Sequence, residues 1–158
     1  MRLNYLHNFQ IPRISRSITM ASGSSSSAKK LIQIDVSADT VCPWCFVGKK
    51  NLDKAIASSA DKYNFEIKWH PYLLNPSAPK EGIAKKEFYV NKFGPRAVQI
   101  ESRMTEIFKG LGMDYDMSGL TGNTLDSHRL IYFAGTQGLD KQHKLVEELS
   151  LGYFTQGK

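Results

Sequence analysis

The sequence predicts an α/β fold, in which a strand–helix–strand unit is followed by a largely helical remainder. Two strand-like segments, residues 31–36 and 64–70, flank a helical stretch from Pro43 to about Ser59. From about residue 80 onward, apolar residues recur at helical spacing. The chain has 158 residues, 41% hydrophobic and 23% charged. This composition is typical of one soluble globular domain, and no apolar run approaches the roughly 18 residues of a membrane span.

The first strand and helix are predicted from residue type. Residues 31–36 are mostly apolar and β-branched, which favours a mostly buried strand. Pro43 is suited to the first helical position, because its missing N–H would be unpaired there anyway. Val47 and Ile56 mark the packed side of this helix. We expect the solvated side to carry its lysines, Lys49, Lys50 and Lys54.

The second strand shows strict alternation, with apolar residues at Phe65, Ile67 and Trp69, and is expected to be half-buried. Strand, helix and strand within 40 residues form a βαβ unit, so the two strands should be parallel. Three prolines then keep the chain extended or turning, at positions 71, 76 and 79.

The remainder is predicted to be helical. One stripe at helical spacing, ending at Gly112, consists of Ile100, Met104, Ile107, Phe108 and Leu111, and is interpreted as core packing. Residues 113–122 are predicted to form a loop. Asn123 or Thr124 is expected to cap a helix that reaches about Gln137. A last helix, marked by Leu145, Leu149 and Tyr153, is expected to run to the end of the chain.

Residues 1–30 carry five basic and no acidic residues, whereas the formal net charge of the whole chain is only +6. The rest of the chain is therefore nearly neutral, and we expect neither a nucleic-acid partner nor a membrane partner. The acid-free, serine-rich segment is predicted to be a disordered leader beginning at Met20, or an organellar transit peptide. The predicted location is accordingly cytoplasmic, or mitochondrial or plastid.

One motif carries chemistry: Cys42-Pro43-Trp44-Cys45, placed where the first strand meets the first helix. Two intervening residues let the thiols close a small ring and cycle between dithiol and disulfide. Cys42 lies at the helix N-terminus, where the macrodipole favours a thiolate, so it is predicted to be the nucleophile. Cys45, further into the helix and expected to be more buried, is predicted to be the resolving thiol.

Three other interpretations of the pair remain open. A structural zinc site needs two further ligands, and the histidines lack paired spacing. Inert buried thiols do not explain a proline at the helix start. A purely structural disulfide across so short a ring adds little stability. Nearby, Asp39 and Thr40 are expected to cap the helix rather than transfer protons. His128 is expected to be packed or exposed rather than a proton carrier.

Residues 31–48, LIQIDVSADTVCPWCFVG, resemble the opening of the DsbA-like thioredoxin-domain oxidoreductases, specifically the FrnE-like branch. The resemblance continues through residues 69–76 and 123–130. It implies a thioredoxin-like fold over residues 31–158, with an all-helical insertion from about residue 80. It also implies that Cys42 and Cys45 are the redox pair. Relative to that family, the C-terminal ββα half is missing, which suggests a truncated chain.

The leading functional prediction is a thiol–disulfide oxidoreductase acting on protein or small-thiol substrates, with Pro43 and Trp44 setting the redox balance. No cofactor or metal is expected, apart from glutathione as a co-substrate. One alternative is a glutathione-dependent isomerase or transferase of the 2-hydroxychromene-2-carboxylate isomerase or kappa type. Relatives with that activity typically carry Ser at the position of Cys42. The other alternative is a non-catalytic, truncated binding module.

Overall fold

The computed structural model, which describes residues 28–158, begins with the predicted strand–helix–strand unit. Its elements are β1 (Lys30–Ala38), α1 (Pro43–Ser59) and β2 (Tyr63–Pro71). The two strands pair in parallel in an unbroken register, from Lys30 opposite Tyr63 to Ala38 opposite Pro71. The α/β class and the parallel pairing are therefore confirmed. Of the predicted leader, residues 1–27 lie outside the described residues, and Lys30 already belongs to β1.

The rest of the described chain is mainly helical. After a two-residue strand, β3 (Ile83–Ala84), come α2 (Lys85–Phe93), a short 3₁₀ turn and α3 (Ala97–Gly110). A second two-residue strand, β4 (Leu120–Thr121), precedes α4 (Leu125–Gly135) and α5 (Leu139–Thr155). The strands β3 and β4 pair in antiparallel fashion. The predicted all-helical insertion and the predicted 113–122 loop thus need correction, because a two-residue ladder is too short to leave a periodic signal.

Two helix ends also differ from prediction. α4 ends at Gly135 instead of about Gln137, and α5 ends at Thr155, three residues before the end of the chain. Neither Thr124 nor Asn123 makes a side-chain cap of the kind expected, although the Asn123 side chain accepts from the Leu125 amide at 3.0 Å. The boundary residues carry no apolar pattern, which is why their positions were not predictable.

Two apolar clusters hold the helices together. In one, Phe46 of α1 stacks on Phe154 of α5 with ring centroids 5.7 Å apart, and Phe108 of α3 packs against both. In the other, Trp69 of β2 packs against Ile131 of α4 and Val146 of α5. The predicted core stripe is confirmed at Met104 and Phe108, which are 2% and 0% exposed. The clusters place the start of α1 against the helical part of the chain.

Two expectations about burial were wrong. Lys49 is 3% exposed, because its ammonium nitrogen lies 2.6 Å from Glu147 of α5 and 2.8 Å from Asp53. Packing of α5 against α1 thus supplies the counter-charge that lets this lysine be buried. β1 is not mostly buried either, since its side chains alternate between exposed and half-buried. Among residues 28–158, its one strand neighbour is β2.

α5 also completes the outer edge of β2. The Gln142 side chain, 3% exposed, accepts from the Trp69 backbone N–H at 2.9 Å and donates to the Trp69 carbonyl at 3.1 Å. A side-chain amide therefore takes the place of a neighbouring strand at this residue. No helix within the described part of the chain has the length and apolar character needed to cross a membrane.

Candidate active site

The CPWC motif lies at the start of α1, as predicted. Cys42 is the residue that caps the helix: its backbone is extended, and its sulfur accepts from the Cys45 backbone N–H at 3.4 Å. Pro43 occupies the first helical turn. The Cys42 N–H donates to the Asp39 carbonyl at 3.1 Å, which closes the turn between β1 and α1. The expectation that the Asp39 or Thr40 side chain caps the helix is wrong, since Asp39 bonds to Leu74 and Thr40 to Ser127.

The pKa values of the two thiols are shifted in opposite directions. A hydrogen bond from the Cys45 thiol lowers the pKa of Cys42 to about 6, with help from the backbone N–H groups of Cys45 and Trp44. Burial and the charge of Asp39 act in the other direction. The same hydrogen bond, together with burial, raises the pKa of Cys45. Cys42 is therefore a thiolate at neutral pH and Cys45 is a protonated donor. Both are half-buried, so exposure alone does not distinguish them.

A buried acid lies next to this pair. Asp39 is 4% exposed, and its Oδ2 accepts from the Leu74 backbone N–H at 2.7 Å. His128 Nε2 lies 3.4 Å from Asp39 Oδ1 and 3.2 Å from the Tyr72 carbonyl. Because a carbonyl only accepts, this nitrogen carries a hydrogen. Burial raises the pKa of Asp39, but hydrogen bonds from His128 and the Leu74 N–H outweigh burial and leave it below its ordinary value.

Asp39, Cys45 and His128 share the wall of a small cavity of about 20 Å³, which is enough for one water molecule. Asp39 Oδ1 is buried there, and its 3.4 Å contact with His128 Nε2 is longer than an ordinary hydrogen bond. The cavity therefore brings a protonated thiol, an ionised carboxylate and an imidazole to one place. His128 is packed, as expected.

A much larger cleft, of about 550 Å³, opens on the other side of Cys42. Cys42, Pro43 and Trp44 line it, and the rest of its lining comes mainly from α2, α3 and the segment after β2, with Thr121 and Tyr153. Most of the wall is apolar or aromatic, including Leu74, Phe88, Tyr89, Phe93, Ile100 and Met104. Trp44 is 51% exposed, and the Arg103 guanidinium lies 5.5 Å from the centre of its ring.

The structure thus places all four predicted site residues at one point, with Cys42 facing the cleft and Cys45 facing the small cavity. The sequence did not identify Tyr89, Lys92 or Arg103 as wall residues, because they come from helices far along the chain. Within residues 28–158, no group of three or more His, Cys, Asp or Glu is arranged to hold a metal ion.

Comparison with known proteins assigns the class. Residues 33–158 match the family model of the DSBA-like thioredoxin domain. The chain therefore belongs to the DsbA-like thioredoxin-domain family, as the resemblance implied. Its assignment to the FrnE-like branch remains a prediction.

One curated protein and one solved structure are similar to parts of this chain. A 46-residue stretch is 41% identical to the uncharacterized protein YwbO of Bacillus subtilis (strain 168), covering 29% of this chain and 21% of that protein. The crystal structure of a probable DsbA oxidoreductase from Streptomyces coelicolor superposes with a TM-score of 0.68 at 24% identity. That match covers 77% of this chain and 53% of the other, and it supports the fold. The chain therefore spans about half the length of that structure.

Proposed function

We propose that this protein is a thiol–disulfide oxidoreductase, in which Cys42 and Cys45 cycle between dithiol and disulfide. The observation that carries the proposal is the pair of hydrogen-bonded thiols at the start of α1, with the pKa of Cys42 lowered to about 6 by the Cys45 hydrogen bond. Membership of the DsbA-like family supports oxidoreductase chemistry in general. The proposed substrates are protein or small-molecule thiols and disulfides.

In the reducing direction, the Cys42 thiolate attacks one sulfur of the substrate disulfide. The substrate S–S bond breaks, a mixed disulfide with Cys42 forms, and the released thiolate takes a proton. Cys45 then loses its proton and attacks the Cys42 sulfur, which releases the second substrate thiol. Two electrons pass from the cysteine pair to the substrate, and a Cys42–Cys45 disulfide results. The same steps in reverse oxidise a substrate dithiol.

The second step needs a proton acceptor, because Cys45 must lose its proton to attack and burial raises the pKa of this thiol. Asp39 is ionised at neutral pH and shares the water-sized cavity with Cys45 and His128. We assign Asp39, with His128 beside it, to receive this proton through the cavity. The low basicity of Asp39 limits the driving force of the transfer, and His128 is placed to stabilise the carboxylate.

Pro43 and Trp44 set the balance between the two redox states in this proposal. Pro43 has no backbone N–H, so it cannot donate to the Cys42 sulfur, whereas the Trp44 N–H does contribute to lowering the pKa of Cys42. A stabilised thiolate favours the reduced form of the pair.

The test is reduction of insulin disulfides in the presence of dithiothreitol, with Cys42→Ser and Cys45→Ser compared with the native chain. We expect Cys42→Ser to lose activity by about 100-fold or more, since a serine hydroxyl does not supply a thiolate. In a single turnover without dithiothreitol, Cys45→Ser should instead accumulate a mixed disulfide with the substrate, detected by intact mass. Ser58→Ala, an exposed change on the same helix, serves as the matched control.

Undiminished activity in Cys42→Ser would overturn the proposal. Activity that requires glutathione and survives the loss of Cys45 would instead favour the glutathione-dependent isomerase or transferase.

A further inference from the structure

The charges around the large cleft are unevenly placed. Its charged lining residues are Asp39, the Cys42 thiolate, Lys92 and Arg103. Asp39 is buried and engaged with the Leu74 N–H, whereas Lys92 and Arg103 are exposed at the rim. Among the described residues, neither of these two cations has a carboxylate within 4.0 Å. The rim of the cleft therefore presents two positive charges that no ion pair neutralises.

Both cations lie against aromatic rings of the same cleft. The Lys92 nitrogen is 5.3 Å from the ring centre of Phe88 and 5.5 Å from that of Phe93. Arg103 lies over Trp44, the exposed residue between the two cysteines. Cation–π contacts of this kind hold a charged head group beside an apolar surface. An anion that binds here would therefore sit next to flat apolar walls and close to Cys42.

The tyrosines of the cleft present mainly their rings to a bound ligand, because their hydroxyl groups already have partners. The Tyr153 hydroxyl donates to Thr121 at 2.8 Å, and the Tyr89 hydroxyl lies 3.4 Å from that of Tyr115. A bound peptide backbone would bring N–H and C=O groups that a mainly apolar wall leaves unpaired, at a cost in free energy. A flat, apolar ligand avoids that cost.

We propose that this cleft binds small-molecule disulfides or thiols that combine a flat apolar body with a carboxylate. This inference rests on the proposed thiol–disulfide function. The apolar body packs against Trp44, Phe88 and Phe93, the carboxylate meets Lys92 and Arg103, and the sulfur lies at Cys42. The cleft volume of about 550 Å³ is within the usual range for small-molecule sites.

The chemistry is that of the proposed function. The Cys42 thiolate forms a bond to one sulfur of the ligand disulfide, and the other half leaves as a thiolate. Attack by Cys45 on Cys42 then releases the second half, so the ligand gains two electrons and yields two thiols. The cationic rim stabilises a ligand carboxylate throughout, independently of the bond that breaks.

The test uses four disulfides on the reduced protein, each followed by stopped-flow. Dithiobis-nitrobenzoate is aromatic and anionic, dithiodipyridine is aromatic and neutral, dithiodipropionate is aliphatic and anionic, and cystamine is aliphatic and cationic. Each rate is divided by the rate of mercaptoethanol thiolate with the same compound, so that intrinsic reactivity cancels. We expect the highest normalised rate with dithiobis-nitrobenzoate and the lowest with cystamine.

Substitutions of the two cations test whether the rim of the cleft causes the preference for an anionic aromatic disulfide. Arg103→Gln and Lys92→Gln should each lower the normalised rate with dithiobis-nitrobenzoate by a factor of about two to five, and leave the rate with dithiodipyridine unchanged. Lys109→Gln, which removes an exposed charge from the same helix as Arg103 but outside the cleft, is the matched control.

Two kinds of failure are distinguishable. If no compound reacts at Cys42 and no Cys42–Cys45 disulfide forms, the proposed function itself is wrong. If all compounds react at equal normalised rates, or the rim variants slow both aromatic compounds alike, the function stands and the substrate class is overturned.

Discussion

Cys42 and Cys45 show how two identical side chains acquire different roles from their positions on one helix. The Cys42 sulfur lies against backbone N–H groups of the first helical turn, including that of Cys45 at 3.4 Å, so negative charge is favoured there. Cys45 donates its own proton toward that charge and is correspondingly harder to ionise. Asp39 works against the Cys42 thiolate, since its negative charge raises the pKa of that thiol. The site therefore holds a stabilised thiolate beside a buried carboxylate.

This balance predicts two separate effects of Asp39→Asn. Asparagine keeps an acceptor for the Leu74 N–H but removes the negative charge. We expect the pKa of Cys42 to fall further, and the attack of Cys45 on the mixed disulfide to slow by about tenfold or more, because the proton acceptor is lost. Thiolate titration measures the first effect, and stopped-flow release of the second thiol measures the other.

Asp35→Asn is the matched control for this change, since Asp35 is an exposed carboxylate on β1. It should leave both quantities unchanged. An Asp39→Asn protein with the native rate of the second step would show that the Cys45 proton leaves by another route.

At the scale of elements, Gln142 on α5 fixes how the helical part meets the strands. Gln142→Leu keeps the volume roughly constant but removes both hydrogen bonds to the Trp69 backbone. We expect the free energy of unfolding to fall by about 2–4 kcal/mol, because a buried N–H and a buried carbonyl lose their partner. Urea unfolding measures the change. Gln99→Leu, at an exposed position on α3, should alter it little, and equal losses in the two variants would contradict this role for Gln142.

The same elements show what the sequence can predict. β1, α1 and β2 were predicted within two residues at each end, since Phe65, Ile67 and Trp69 alternate and Pro43 marks a helix start. The β3–β4 ladder was not predicted, because it consists of two strands of two residues each that lie far apart in the chain. The burial of Lys49 was not predicted for a related reason. Glu147, which neutralises this lysine, belongs to α5, and the helical spacing within α1 gives no indication of that partner.

For the whole molecule, the site is assembled from the full length of the described chain. The CPWC motif was predictable, since its four residues are contiguous and their chemistry follows from the helix start. Its surroundings were not predictable: His128 reaches Asp39 from α4, and Arg103 reaches Trp44 from α3. Such contacts depend on how helices pack, and a single sequence carries no local signal of them. The cleft and the small cavity beside Cys45 are therefore properties of the fold rather than of the motif.

The most direct test of this account is the titration of the Cys42 thiol in the folded, reduced protein. Thiolate absorbance and iodoacetamide labelling should both give a midpoint at a pKa of about 6, compared with an ordinary value of 9.0. Because this pKa is lowered, reactivity should persist at neutral pH and be lost as the pH falls through the midpoint. Cys45→Ala, which removes the side-chain donor to the Cys42 sulfur, should shift the midpoint upward. A Cys42 that titrates near 9.0 in the native chain would contradict the account.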